Sequence, residues 1–338
     1  MSNHESLPII RTSERRDFKR CPQRWWWAWR EGLRPVETKQ ALWFGIGMHL
    51  VLEHHYGAGG LKRGRNPLKV WREYTKDQAI FSMPSGRVVD EGARPEYVNA
   101  VKLGEDMLDG YFDLYGKDEH MFVLGAEIPF QVIIDGPNGE PVCVYAGTWD
   151  LLWRDERDSG LWVTDHKTAA DLSTKHLTLD DQAGSYWALA GPYLRGQGLI
   201  GAKERLKGIE YNILRKYSPP EDDRPVNEDG MRLNKDGSVS KRQPKPLSYR
   251  YHRERVHRTA REQATQVQRI GIEASAMDLF RADKSMLYKN PTRDCSWDCA
   301  FFNMCELHER QSDWQEFRDM AFVVQDPYAD HRYALEGE

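Results

Sequence analysis

Apolar residues recur at helical spacing over 12–32, 43–56 and 69–82, and again from Pro95 to Tyr115, so the first third of the chain reads as mainly helical. Cys21-Pro22 should interrupt the first of these segments, since proline disfavours helical geometry in the residue before it, and Gly32 should close it. A basic, Gly-rich loop, GAGGLKRGRNP, separates the second and third. The period then shortens to two. FVLGAEIPFQVII, PVCVYAGTWDLLW and LWVTDHKT are β-branched and aromatic runs divided by the turn-formers DGPNGE and RDERDSG, which predicts three sequential antiparallel strands. A helix is expected from Leu179 to Leu194, with Gly191-Pro192 able to kink or end it, followed by a strand over 208–216. Residues 217–248, rich in Pro, Gly and charge, read as a surface excursion with a turn at Asn234-Lys235-Asp236-Gly237. Long helical patterns cover His252 to Ala282 and Glu306 to Met320. The whole is a mixed α/β chain without internal repeats.

Composition narrows the class. With 40% hydrophobic and 30% charged residues and a mean hydropathy of -0.74, the 338-residue chain is that of a soluble globular protein with room for a catalytic cleft. No apolar run approaches the ~18–20 residues that span a bilayer, and no export signal opens the chain, so a cytoplasmic setting without membrane partners is expected. The net charge of -4 decides nothing, because a local patch attracts phosphate. Arg11 to Arg34 holds eight Lys or Arg against three acids, and Lys241 to Arg261 holds eight against Glu254 alone. Either run is a solvated face or a contact with a polyanion.

The chemistry gathers at Gly147-Thr148-Trp149-Asp150 and Thr164-Asp165-His166-Lys167. Adjacent antiparallel strands bring Asp150 and Asp165 to one sheet end, and a period of two puts Asp165 and Lys167 on one face. Two hard carboxylates beside an ammonium suit Mg²⁺ or Mn²⁺ and hydrolysis of a phosphodiester. Lys167 would orient or deprotonate the attacking water and neutralise developing charge. Gly110-x5-Gly116-Lys117-Asp118 is no phosphate-binding loop: its spacing is one residue too long, and Asp118 replaces the magnesium-binding hydroxyl.

This stretch resembles the PD-(D/E)XK nuclease superfamily, in particular its RecB-like branch of CRISPR-associated exonucleases and AddB nuclease domains. That branch orders a helical histidine, a strand glutamate, G-x-x-D, D/E-x-K and then Q-x-x-x-Y. His49, Glu127, Asp150, Asp165 with Lys167, and Gln182 with Tyr186 stand in that order. The resemblance implies that His49, Asp150 and Asp165 bind metal, that the His166 carbonyl adds a ligand, and that Lys167 is catalytic. Gln182 and Tyr186 would support the site or the DNA. It further implies a restriction-endonuclease-like core at 121–288 behind a helical N-terminal region at 1–120, and an exonuclease acting on DNA ends, single-stranded or duplex, with single strands preferred. The competing readings are an endonuclease on the same core and a noncatalytic DNA-binding scaffold with a structural zinc.

Of five cysteines, Cys143 lies in an apolar alternating run and reads as packing. Cys21 with Cys295, Cys299 and Cys305 would clasp the two chain ends across 274 positions, and thiolates hold either zinc or iron-sulfur. No C-x2-C knuckle is present. Cys21-Pro22 and DCSWDCAFFNMC are similar to the four-cysteine [4Fe-4S] pattern of the same branch, with a first gap one residue longer than usual, which implies a cluster-binding segment at 289–338. Arg24-Trp25-Trp26-Trp27-Ala28-Trp29-Arg30 interleaves rings and cations and is able to stack unpaired bases. On a helix, however, consecutive tryptophans point in different directions, which favours packing around the cysteines.

Overall fold

A computed structural model describes residues 7–36, 40–57, 66–82, 88–90, 92, 94–220 and 222–329. Most of the Gly-rich loop at 57–67 lies outside the described residues. Strand β1 (Ile9–Ile10) leads into α1 (Thr12–Arg20) and α2 (Pro22–Trp25), joined at Cys21 as the proline requires, and a π turn follows over Trp26–Arg30. Next come β2 (Leu33–Pro35), α3 (Gln40–Tyr56), α4 (Pro67–Gln78), the short pair β3 (Ile80–Ser82) and β4 (Val88–Asp90), and α5 (Pro95–Tyr115). The expected helix over 69–82 thus ends at Gln78, because Ile80–Ser82 pairs antiparallel with Val88–Asp90.

The central sheet carries β5 (Met121–Asp135), β6 (Pro141–Asp155), β7 (Gly160–Ala169), β8 (Leu206–Arg215) and β9 (Tyr251–Val256). The three expected strands pair antiparallel in sequence, and α6 (Asp181–Gly196) carries the chain over to β8, which runs parallel to β7. Pro192 lies inside α6, so Gly191-Pro192 does not end it. The long helix expected from His252 is corrected. Tyr251–Val256 pairs with β8, and α7 (Ala260–Ala282) begins only at Thr259, where Thr259 and Glu262 close a reciprocal capping box. The last expected helix is two, α9 (Phe302–Glu309) and α10 (Trp314–Ala321), after the single turn α8 (Cys295–Asp298). Gln311 breaks them with φ of 55°. Strand β10 (Phe322–Val324) then pairs with β2.

Two apolar cores lie on opposite faces of the sheet. α1, α2, α6 and α7 pack on the face carrying Tyr145, Val163, Tyr211 and Ile213. α3, α4 and α5 cover the face carrying Leu151, Trp153, Trp162 and Leu214. Covered on both sides, β6 is apolar almost throughout its buried middle instead of alternating. On one edge β6 meets β1 at Val144 and Tyr145, and on the same path β7 joins only from Leu151 onward. The stretch between those pairings, which ends at Asp150, is where the sheet opens.

Candidate active site

Asp150 stands one position beyond the last β6–β7 pair, Leu151 with Thr164, so it faces Asp165 across the parting strands. Its Oδ2 accepts the backbone N–H of His166 at 2.6 Å, in place of a ladder bond. From α3, His49 brings Nδ1 to 3.5 Å from the same Oδ2 and 4.0 Å from Glu127 Oε1. Among the described residues, His49, Glu127 and Asp150 form a group whose ligand atoms all lie within 4.8 Å of one another.

Glu127 is the residue whose part the sequence left open. The β5–β6 register runs through Ala126 with Leu151 and Ile128 with Trp149, which puts Glu127 opposite Asp150. At Glu127 the backbone is left-handed, φ 47°, a costly conformation for a residue with a side chain and one that collects at functional sites. Burial, then the charges of Asp150 and Glu53, push the Glu127 carboxyl up to about 8. Glu53 sits one turn after His49 on α3.

Asp165 is 3% exposed and lies outside that tight group. Lys167 Nζ sits 3.0 Å from Asp165 Oδ1 and 2.8 Å from Oδ2, and also donates to Gln182 Oε1 at 3.0 Å. Gln182 Nε2 returns to Asp165 Oδ1 at 3.2 Å, closing a three-residue ring. Oδ2 is buried with no donor in hydrogen-bonding geometry, a carboxylate oxygen able to take a cation. Burial pushes the Asp165 carboxyl up, Lys167 opposes it and Asp150 adds to it, leaving it at about 6. Burial alone would lower Lys167, but Asp165 and Asp150 outweigh it and raise its pKa, so the side chain is an ammonium.

The His166 ring points to the other face, as the strand period requires. Its Nδ1 contacts Asn212 Nδ2 at 2.9 Å and its plane stacks on Tyr56 with centroids 5.9 Å apart. Burial, then His49 and Arg253, lower its pKa well below the usual histidine range, so the ring is neutral and only its backbone meets the acids. Behind it Asn212, Tyr111, Tyr56, Arg253 and Asp118 form a buried hydrogen-bonded chain. Asp118, the residue that spoiled the apparent phosphate loop, is the carboxylate of that chain.

Gln182 is set by the start of α6, where Asp180 caps the helix and Asp181 is tied to Arg15 of α1 at 3.1 Å. Arg15 is fully buried and also donates to Glu273 at 2.7 Å and Ser185 at 3.0 Å. Tyr186, one turn on, is half-buried edge-on to Phe130, 5.3 Å away, and desolvation raises its pKa. Gly147 has no room for a side chain: a Cβ there would lie 2.7 Å from the Phe130 ring and 3.0 Å from Tyr186. Neither Arg15 nor Arg253 was singled out from the sequence, because a basic run does not reveal which cations turn inward.

The other constellation is also brought together. Cys21, Cys295, Cys299 and Cys305 line one cavity of about 450 Å³ with Arg20, Arg24 and Lys289 on its wall. Cys21 Sγ accepts the Asn290 N–H at 3.4 Å and Cys295 Sγ that of Thr292 at 3.3 Å. The Thr292 amide lowers the Cys295 pKa, while burial raises Cys299 and Cys305. Trp25, Trp26, Trp27 and Trp29 are all at most 8% exposed, and three of their indole N–H groups bond to Glu14, Glu31 and Asp17. Trp27 packs on Phe301 beside the cysteines. These rings are core, closed to base stacking.

Residues 12–306 match the family model of the PD-(D/E)XK nuclease superfamily. The chain belongs to that superfamily. Membership places it among metal-dependent nucleases acting on DNA, and the mixed sheet flanked by helices is the fold expected of a PD-(D/E)XK protein. The matched span opens before Cys21 and closes just after Cys305, so it takes in both constellations. Comparison with curated proteins finds no significant relative. Among the described residues, no helix is long and apolar enough to cross a membrane.

Proposed function

We propose that this PD-(D/E)XK protein is a RecB-like DNA exonuclease, working from strand ends in the cytoplasm with single strands preferred. In this reading Asp150, Asp165 and His49 hold Mg²⁺ or Mn²⁺ with Glu127 and the His166 carbonyl, Lys167 is the catalytic lysine, and Gln182 and Tyr186 support it. The observation that carries it is the convergence of His49, Glu127 and Asp150 within 4.8 Å, beside a lysine fixed by Asp165 and Gln182.

The donor set fits a hard divalent cation: carboxylate oxygens and one imidazole, with the buried Asp165 Oδ2, ion-paired to Lys167 at 2.8 Å but in no aligned hydrogen bond, beside them. When bound, such a cation polarises the scissile phosphate and acidifies a water. The chain's own groups do the rest. Lys167, charged and held in a ring with Gln182, orients that water and offsets the negative charge that builds on phosphorus. The His166 amide fixes Asp150, so the carboxylate is pre-positioned.

The cysteine cavity supports a [4Fe-4S] cluster over zinc. A tetrahedral zinc with bonds of ~2.3 Å needs sulfurs about 3.8 Å apart. Here no three thiols fall within 4.8 Å of one another among the described residues, while all four surround one cavity. Backbone N–H groups on two sulfurs and three cations on the wall suit the negative charge of a thiolate-bound cluster.

Two expected results check the metal site and the mode of attack. Protonated Glu127 and Asp165 favour the folded, metal-free protein most below their unfolded pKa values, and this stabilisation is lost as pH rises through about 6 and about 8. A bound cation favours the ionised forms, so Mn²⁺ should raise the unfolding temperature more at pH 8.5 than at pH 6. An increment independent of pH would count against these ligands. An exonuclease should release nucleotides from an end-labelled linear strand and leave a closed circle intact; cutting of the circle at a comparable rate would establish the endonuclease instead.

A further inference from the structure

The basic run Lys241 to Arg261 divides in the structure. Arg253 and Arg255 turn inward to Asp118, Glu210 and Asp155, and Arg258 meets the Asp180 carbonyl. Lys245 and Arg250 go elsewhere. They join Arg215, the last residue of β8, on two tyrosines that bracket the 217–248 excursion, and Lys216 follows directly.

The Arg215 guanidinium lies 4.1 Å from the centre of the Tyr249 ring, and the Lys245 ammonium lies 5.1 Å from the same ring. Arg250 lies over Tyr217 at 5.6 Å, and the two tyrosines meet edge to face at 5.5 Å. Lys216 reaches the other way, to 5.4 Å from Phe44 on α3, the helix that carries His49. None of the four has a carboxylate within 4 Å among the described residues. Burial alone lowers the Lys216 pKa, with no acid opposing it. On the far side α5 bounds the group with Asp106 and Asp113, whose charges act on Tyr251, and Asp106 is taken by Lys102 at 3.0 Å.

The position relative to the active site follows from the β7–β8 register. Lys167 pairs with Ile213 and Ala169 with Arg215, so Arg215 shares the face of Asp165 and Lys167. It lies two residues further along, roughly 7 Å at ~3.3 Å per residue. That is on the order of one to three nucleotides from the bond that Lys167 would serve, given ~3.4 Å per nucleotide in a duplex strand. A cation laid on a ring face also keeps its outward N–H donors for an acceptor, and it is already ordered, which lowers the entropy lost on binding.

We propose that Arg215, Lys216, Lys245 and Arg250, ordered on Tyr217, Tyr249 and Phe44, form a phosphate clamp for the DNA strand next to the active centre. The clamp rests on the nuclease reading and adds the surface that holds the substrate backbone. It gives the excursion a purpose: its two ends supply the rings, and the exposed Lys245 supplies one jaw.

The test is DNA binding in EDTA, read by anisotropy of a fluorescent 20-mer, single-stranded in one arm and duplex in the other, across a KCl titration. In the arm that wild-type protein binds, Arg215→Gln with Lys245→Gln should weaken binding about tenfold. It should also flatten the slope of log K against log salt by ~1.4 for a single strand or ~1.8 for a duplex. Lys245→Gln alone, at an exposed position, should give half that change in slope. Unchanged affinity and slope in both variants would overturn the clamp. Cleavage of the same DNA by wild-type protein in Mg²⁺ or Mn²⁺ is measured alongside. Cleavage with no binding defect in the variants sinks the clamp alone, whereas a binding defect without any wild-type cleavage sinks the nuclease reading and leaves the clamp standing.

Discussion

Lys167→Ala is expected to lower DNA cleavage by about 10²- to 10⁴-fold while leaving binding of the strand in EDTA within a few-fold of wild type. The reason lies in what the ammonium touches. It is bound to both oxygens of Asp165 and to Gln182, so its charge and position are set before substrate arrives. Its removal takes away the charge that opposes a developing phosphorane, and it also frees Asp165. Lys167 is the main influence holding that buried carboxyl down, so in the variant Asp165 should titrate above its present value of about 6. Divalent-metal affinity should then fall at pH 7 and recover at higher pH, whereas the cleavage defect should persist at saturating metal. That split separates the two roles. Full recovery of cleavage with excess Mn²⁺ would reduce Lys167 to a residue that merely tunes Asp165.

Cys299→Ala should remove the proposed [4Fe-4S] cluster before it costs any chemistry. Purified without oxygen, wild-type protein should be brown and contain iron and sulfide. The variant should be colourless and unfold roughly 10 °C lower, a loss of several kcal/mol for a site that ties folding to ligand binding. The size of the effect follows from the topology. Cys21 sits between α1 and α2, and the other three thiols stand at the far end of the chain, so the proposed cluster would close a loop of nearly the whole protein. The same junction is built around Trp27 and Phe301, which would keep part of the contact when the cluster is lost. A wild-type protein with one zinc and no sulfide would refute the iron-sulfur assignment.

Local spacing made much of the site legible. Asp165-x-Lys167 and Gln182-x3-Tyr186 each share a face within a single element, and the hairpin between Asp150 and Asp165 is set by turn residues, so sequence alone brings these groups close. Glu127 was legible only as a strand acid. Its approach to His49 depends on a left-handed backbone at a residue with a side chain, which no local pattern announces. The stretch His252–Val256 reads as helix because its charges hide a period of two, with the half-buried Arg253 and Arg255 set among carboxylates and rings. The tryptophans invited a binding role through composition, yet Glu14, Asp17 and Glu31 supply the acceptors that let the indoles enter the core. For Glu127 and for Arg253 and Arg255 the deciding partners are distant in sequence, while the indoles find theirs within twelve residues.

The metal-dependent nuclease site is tested most directly by hydrolysis of an end-labelled single strand by wild-type protein and by Asp150→Asn, with Mn²⁺ or with EDTA. Asp150 receives both His49 and the His166 amide, so the isosteric amide keeps the shape and removes the charge that a cation needs. Wild type should release nucleotides in Mn²⁺ and none in EDTA, and Asp150→Asn should lose at least about 10³-fold with strand binding retained. Hydrolysis by Asp150→Asn at the wild-type rate, or by wild type in EDTA, would contradict that site.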